Sequence, residues 1–278
     1  MFETLTNGLR FPESPRWHDG HLWFAEKRAQ RVVRLEADST LTTMLTVPAD
    51  PGGLGWDPEG NLMVVSMGDR QLLRHRHAAV EVVADLSDIT KVKCNDMVVD
   101  ARGGAYVGDF GYDLGAGAPA APGVLVYVDP DGAPTVVATE LGFPNGAVIS
   151  PDGRTLVVAE SSANRLTAFT IADDGGLGDR RLFADLGSNV PDGICLDESG
   201  AIWIADPLHN EVVRVAEGGQ VLERLSTNEF GAFACVLGGE DGRTLFVCAD
   251  GVGATAADNP ALGSILSTRV DVPTGCSP

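Results

Sequence analysis

The chain has 278 residues, 44% of them hydrophobic, enough to bury a large core as one domain or two small ones. A formal net charge of −19 argues against nucleic acid or an anionic membrane surface as a partner, and suits cation binding or a solvated acidic surface. No run reaches the ~18 apolar residues of a membrane span, MFETLTNGLRFPESP lacks the regions of a signal peptide, and five dispersed cysteines without a CxxC pair read as reduced thiols, so a cytoplasmic location is expected.

From the N-terminus onward the chain repeats one unit. After a short strand-like FETLT, an apolar strand follows a turn glycine six times. The copies are HDGHLWFAE at Gly20, PEGNLMVVSM at Gly60, RGGAYVGDFG at Gly103, PDGRTLVVAES at Gly153, ESGAIWIADP at Gly200 and EDGRTLFVCAD at Gly242. The intervals are 40, 43, 50, 47 and 42 residues. Each unit continues into further strands, as in RQLLRHRH then VEVVADL, giving about four per unit. No segment has a convincing amphipathic helical period. Six four-stranded units predict an all-β fold, a six-bladed β-propeller spanning 1–278 as one domain. The stretch 111–123, GYDLGAGAPAAPG, reads as a surface loop of the third blade. The last unit offers only three strands, near 231–237, 243–249 and 263–270. Residues 2–6 are therefore expected to supply its outer strand and so remove an exposed edge.

In each unit the strand before the turn glycine is expected to line the central channel. The position eight residues before the glycine holds Pro12, Gly52, Asn95, Asn145, Asp192 and Ala234, with Glu13 one place later in the first unit. Pseudo-symmetry would bring Glu13, Asn95, Asn145 and Asp192 together near the axis. Two carboxylates and two amides form a hard-oxygen set suited to Ca2+, with Mg2+, Mn2+ or Zn2+ as competitors. Taken singly, the same residues are ordinary turn chemistry. The five histidines show no ligand spacing, and the absence of G-x-S-x-G argues against a serine nucleophile.

The segments ESPRWHDGHLWFAE, KCNDMVVDARG, FPNGAVISPDGRTLVVAES, VPDGICLDESGAIWIAD and FACVLGGEDGRTLFV together give a chain that resembles the SMP-30/gluconolactonase/LRE (regucalcin-like) family along its whole length. The resemblance implies a six-bladed propeller with one divalent metal in the channel, Ca2+ being expected, and a small-molecule lactone or ester as substrate. It implies Glu13, Asn145 and Asp192 as metal ligands, and Asn95 as a substrate contact or a further ligand. Lys93 stands where sugar lactonases of the family carry an Arg. A lysine keeps the charge but loses the bidentate fork, which points away from a polyhydroxylated lactone. The pocket walls are expected from Trp17, Phe110, Phe143, Phe230 and Phe233. The implied chemistry is polarisation of the lactone carbonyl by the metal, with Asp192 taking a proton from water or orienting it. A phosphotriesterase-like hydrolase and a non-catalytic calcium-binding scaffold are the alternatives. The sequence carries no signal for oligomeric state.

Overall fold

Period-two alternation and glycine turns produce strands almost everywhere in this chain. The computed structural model describes residues 1–251 and 261–275, and within them the only helices are two single 3-10 turns, Lys27–Ala29 and Ser161–Ala163. Twenty-four strands form six four-stranded antiparallel sheets. The innermost strands are β2 (Pro12–His18), β6 (Pro51–Trp56), β10 (Cys94–Val99), β14 (Pro144–Ile149), β18 (Ile194–Leu196) and β22 (Gly231–Gly238). Each touches its neighbour, and β22 touches β2, so these six strands close a ring. The structure is the expected six-bladed β-propeller.

The turn glycines behave as the repeat requires. Gly20, Gly60, Gly103, Gly153, Gly200 and Gly242 all have positive φ, between 68° and 92°, where a side chain would be strained. In the first blade Asp19 (φ 48°) and Gly20 (φ 76°) make a two-residue hairpin with His18 opposite His21, as Asp-Gly favours. In the third blade, β11 (Ala105–Asp109) and β12 (Gly123–Val128) flank the long loop read from the sequence.

Closure also follows the expectation. Strand β1 (Glu3–Leu9) pairs antiparallel with β24 (Gly263–Arg269), running from Glu3 opposite Ser267 to Leu9 opposite Gly263. The last blade's order is β1-β24-β23-β22, with β23 at Thr244–Asp250. A second clasp was not legible in the sequence. Residues 273–275 cross back to the fifth blade, where the Gly275 N–H donates to the Leu196 carbonyl at 3.0 Å.

Core packing lies between adjacent blades, for example Val157, Leu166, Ile194, Ile204 and Val213 in one cluster of the fourth and fifth blades. Cys94, Cys195, Cys235 and Cys248 are buried free thiols, in keeping with their apolar runs; Cys276 lies outside the described residues.

A third feature of the repeat is an oxygen-bearing residue that ends each second strand: Glu26, Ser66, Asp109, Glu160, Asp206 and Asp250. All six are buried. Glu160 is wholly enclosed, accepts hydrogen bonds from the Gly142 N–H (2.7 Å) and the Arg165 guanidinium (2.8 and 2.9 Å), and is held below the ordinary carboxylate range because these partners outweigh burial.

Deleting residues 2–6 should expose β24 and lower the melting temperature by roughly 5 °C or more; an unchanged calorimetric melt would mean that the ring closes without β1. Glu160→Ala should cost about 2–3 kcal/mol in denaturant unfolding, since it orphans a buried N–H and a guanidinium. Burial pushes the Cys94 thiol up to about 12, so iodoacetamide at pH 8 should leave it unlabelled in the native protein and label it after denaturation, read by peptide mass mapping.

Candidate functional site

Strand pairing defines the true register of the blades. The last residue of each second strand faces the first residue of its inner strand, as in Pro12 opposite Glu26, Pro51 opposite Ser66, Cys94 opposite Asp109, Pro144 opposite Glu160 and Gly231 opposite Asp250. In the fifth blade the Val190 and Asp192 N–H groups bond Asp206 and the Ala205 carbonyl. The next position therefore holds Glu13, Gly52, Asn95, Asn145, Asp192 and Ala232. This confirms five members of the column read from the sequence and corrects the sixth. Ala234 is not equivalent, because the β22–β23 hairpin is longer than its counterparts and it is Ala232 that lies opposite Ala249, next to the Gly231–Asp250 pair.

The inner strands approach closely at this level. A Cβ on Gly52 would lie 2.4 Å from the Asn95 carbonyl oxygen, and one on Gly146 2.6 Å from the Ile194 nitrogen. Backbone bonds cross between blades here: the Gly146 N–H donates to the Asp192 carbonyl (3.1 Å) and the Gly193 N–H to the Phe233 carbonyl (2.9 Å). Glycine permits this contact, and the contact brings side chains of different blades together.

Glu13, Asn145 and Asp192 do meet. Glu13 is buried and Asp192 half-buried, and both carboxyls are raised above the ordinary range. Burial pushes Asp192 well above the ordinary carboxylate range, the Glu13 charge adds to it, and Lys27 opposes it. Burial also raises Glu13 against the pull of Lys27. One oxygen of Asp192, Oδ1, is buried without a hydrogen-bond partner. Ser161 Oγ spends its proton on the Pro191 carbonyl (2.6 Å), so it can only accept from Asn145 Nδ2 (3.2 Å). That fixes the amide with its oxygen available as a ligand. Asn95 is buried next door, its Nδ2 3.4 Å from the Pro144 carbonyl. Among the described residues no group of three or more His, Cys, Asp or Glu side chains stands in metal-holding geometry; this set mixes two carboxylates with amides.

Three residues that the sequence reading passed over complete the cluster. Lys27 Nζ lies 3.2 Å from Glu13 Oε1, and burial of its ammonium is outweighed by Glu13 and Asp192, so its pKa is held above the ordinary lysine value. Asp96 lies in the field of both carboxylates and is held by Arg16 at 3.1 Å. Arg16 spans three blades, donating also to the Leu54 (3.0 Å) and Met97 (2.7 Å) carbonyls. The signal for Lys27 was in the repeat. The residue after each buried acid or Ser66 is Lys27, Met67, Phe110, Ser161, Pro207 or Gly251, and the first four of these donate their N–H to the residue before the inner strand: Phe11, Asp50, Lys93 and Phe143.

Those preceding residues form the rim. Phe11, Asp50 and Phe143 sit there with φ of 62°, 67° and 59°, a left-handed conformation that costs a non-glycine residue about 1–3 kcal/mol. Lys93 is half-exposed and pairs with Asp50 at 2.9 Å across the neighbouring blade. Phe110 stacks on Phe143, with centroids 4.7 Å apart, and Tyr112 meets Phe143 edge-on. Phe230 holds the equivalent rim place in the sixth blade, and Phe233 packs edge-on against Phe11 at 4.8 Å. Trp17 is the exception. It lies at the far end of β2, next to the Gly20 hairpin, stacked on Phe246 at 5.3 Å, and so walls the core rather than the site. The chain's three lysines, Lys27, Lys91 and Lys93, all lie in segments at the site end of the propeller. A cavity of about 1250 Å3 opens at the other end of the channel, lined by Arg16, Trp56, Asp100, Arg154 and Leu237, and includes none of Glu13, Asn95, Asn145 or Asp192.

This arrangement has relatives. The chain is 28% identical to 6-deoxy-6-sulfogluconolactonase of Pseudomonas putida, over 100% of this chain and 98% of that protein. It is 31% identical to lactonase drp35 of Staphylococcus aureus, over 56% of this chain and 50% of that one. Its fold matches a calcium-binding protein, regucalcin, from Agrobacterium tumefaciens, with a TM-score of 0.82 at 21% identity, covering 98% and 94% of the two chains. No helix among the described residues is long and apolar enough to cross a membrane. Residues 11–250 match the SMP-30/Gluconolactonase/LRE-like region, and the chain belongs to that family.

Proposed function

We propose that the chain is a lactone hydrolase whose site holds one divalent metal ion between Glu13, Asn145 and Asp192, with Asn95 as a further ligand or a substrate contact. The lactonase relatives support the reaction class. The observation that carries the metal is the buried, unpartnered Asp192 Oδ1 beside a second buried carboxylate: the Lys27 ammonium bonds Glu13, and this Asp192 oxygen is left without a donor or a ligand. The donors are all hard oxygens, which fit Ca2+, as in the calcium-binding regucalcin, or Mg2+, Mn2+ or Zn2+.

A bound divalent ion supplies a Lewis acid for the lactone carbonyl and makes water more acidic. The chain's own residues do the rest. Asp192 keeps one oxygen toward the cluster and can take a proton from water or orient it. The apolar wall of Phe110, Phe143, Phe230 and Phe233 holds the ring against the carboxylates and limits competing water. Lys93, anchored by Asp50, offers a point charge to an oxygen or anionic group of the substrate at the rim.

Asp192→Ala should lose metal occupancy, measured by elemental analysis of dialysed protein, together with lactonase activity; full occupancy in that variant would refute the ligand assignment. A panel should contain glucono-1,5-lactone, a sulfonated lactone and less hydroxylated lactones. Wild-type turnover should fall with chelator and return with added metal, and glucono-1,5-lactone should be a weak substrate, because an aromatic wall leaves its hydroxyls unpaired. Lys93→Ala should raise KM several-fold at unchanged metal content; a change confined to metal content would remove Lys93 from the substrate side.

A further inference from the structure

The ring of residues that follow the buried acids supplies one formal charge to the axis. In the second blade a Cβ on Gly52 would lie 2.9 Å from Met67 Cγ, and in the fourth Ser161 Oγ bonds Asn145. Side chains of this ring therefore lie beside the inner-strand column of their own blade. In the first blade the ring residue is Lys27, and its neighbour in the column is Glu13, 3.2 Å away. The lysine side chain is only 14% exposed, so the pair is shielded from solvent and salt. Its backbone is fixed as well. The Lys27 N–H donates to the Phe11 carbonyl at 3.0 Å, and its ammonium lies 5.7 Å from the centre of the Phe11 ring.

Glu13 accepts from the Ser14 N–H on Oε2 and faces Lys27 on Oε1. A metal ion bound by Glu13 and Asp192 would stand within a few ångströms of this ammonium. A divalent ion and a lysine ammonium sharing one carboxylate repel strongly in a half-buried site. Either the lysine withdraws or the metal binds weakly. Without a metal, the same ammonium keeps three clustered carboxylates, Glu13, Asp96 and Asp192, from standing against Arg16 alone.

We propose that Lys27 is a tethered cation that occupies the Glu13 side of the carboxylate cluster, balances it without metal, and competes with a divalent ion for Glu13, so that this lysine sets the chain's metal affinity. The inference rests on the metal-centre reading above. It concerns a residue which that reading does not use.

The test is calorimetric titration of CaCl2 and MnCl2 into chelator-treated wild type, K27M and K27R, at one pH and about 0.1 M salt. Methionine is the residue that the second blade carries at this place, so K27M removes the charge at similar length. K27M should bind one ion about tenfold or more tightly than wild type. K27R, which keeps the charge, should bind no more tightly than wild type. Differential scanning calorimetry gives a second readout. K27M should melt lower than wild type without metal, and saturating metal should raise its melting temperature by more than it raises that of wild type. The added affinity should vanish in K27M/D192A. Equal affinities of wild type and K27M, or a gain shared by K27R, would overturn the competition while leaving the metal centre standing. Failure of all the proteins to bind either ion at millimolar concentration would overturn both.

Discussion

Everything near the axis depends on one buried interaction, the side-chain oxygen that ends the second strand of each blade. Glu26 accepts from the Arg10 N–H, Glu160 from Gly142 and Asp206 from Val190, while Asp109 accepts from the Val124 N–H. In the first, fourth and fifth blades the acceptor ties down the segment that leads into its own inner strand. A buried carboxylate costs several kcal/mol unless such bonds are made, so the segment is held where the bonds can form. The next residue along is the one that points its chemistry at the channel. The second blade uses Ser66, and Asp250 in the sixth bonds the Gly251 N–H.

The fixed entry segments convert a sequence repeat into a site. Backbone contact at Gly52 and Gly146 brings neighbouring blades close at the level of Glu13, Asn95, Asn145 and Asp192. The result is electrostatically costly. Burial raises Glu13 and Asp192, and the two carboxylates repel each other. A group whose folded pKa lies above its unfolded value adds stability only below the unfolded pKa and loses it as pH rises through the folded one. At neutral pH this pair therefore opposes folding, and Lys27 and Arg16 offset part of that cost. Left-handed φ at Phe11, Asp50 and Phe143 adds strain at the rim. Two carboxylates buried side by side are the kind of local cost expected where function, rather than stability, selected the residues.

Six turn glycines at near-equal spacing fixed the blade count, because only a repeated supersecondary unit needs a left-handed glycine at that interval. The missing fourth strand of the last unit located the closing partner, since a propeller cannot leave that edge bare, and β1 pairs with β24 as that argument requires. The column of Glu13, Asn95, Asn145 and Asp192 was legible for the same reason. Turn-to-column distance is nearly constant along the repeat, and pseudo-symmetry carries equal positions to the axis. The family resemblance added which of them are implied as ligands.

Tertiary structure decided what spacing could not. The greater length of the β22 hairpin moved the sixth column member from Ala234 to Ala232, because counting from a turn is blind to residues added to the hairpin. Trp17 shares a strand with Glu13 but lies at its opposite end, and only the packed Phe246 shows that its ring belongs to the core. Lys27, Asp96 and Arg16 read along the chain as ordinary charges near strand ends. Their meaning comes from partners far along the chain: Lys27 meets Glu13, 14 positions away, and Asp96 and Arg16 meet each other across 80 positions. A local sequence pattern encodes which residues recur. Which unlike charges meet in the middle is fixed only when the ring closes.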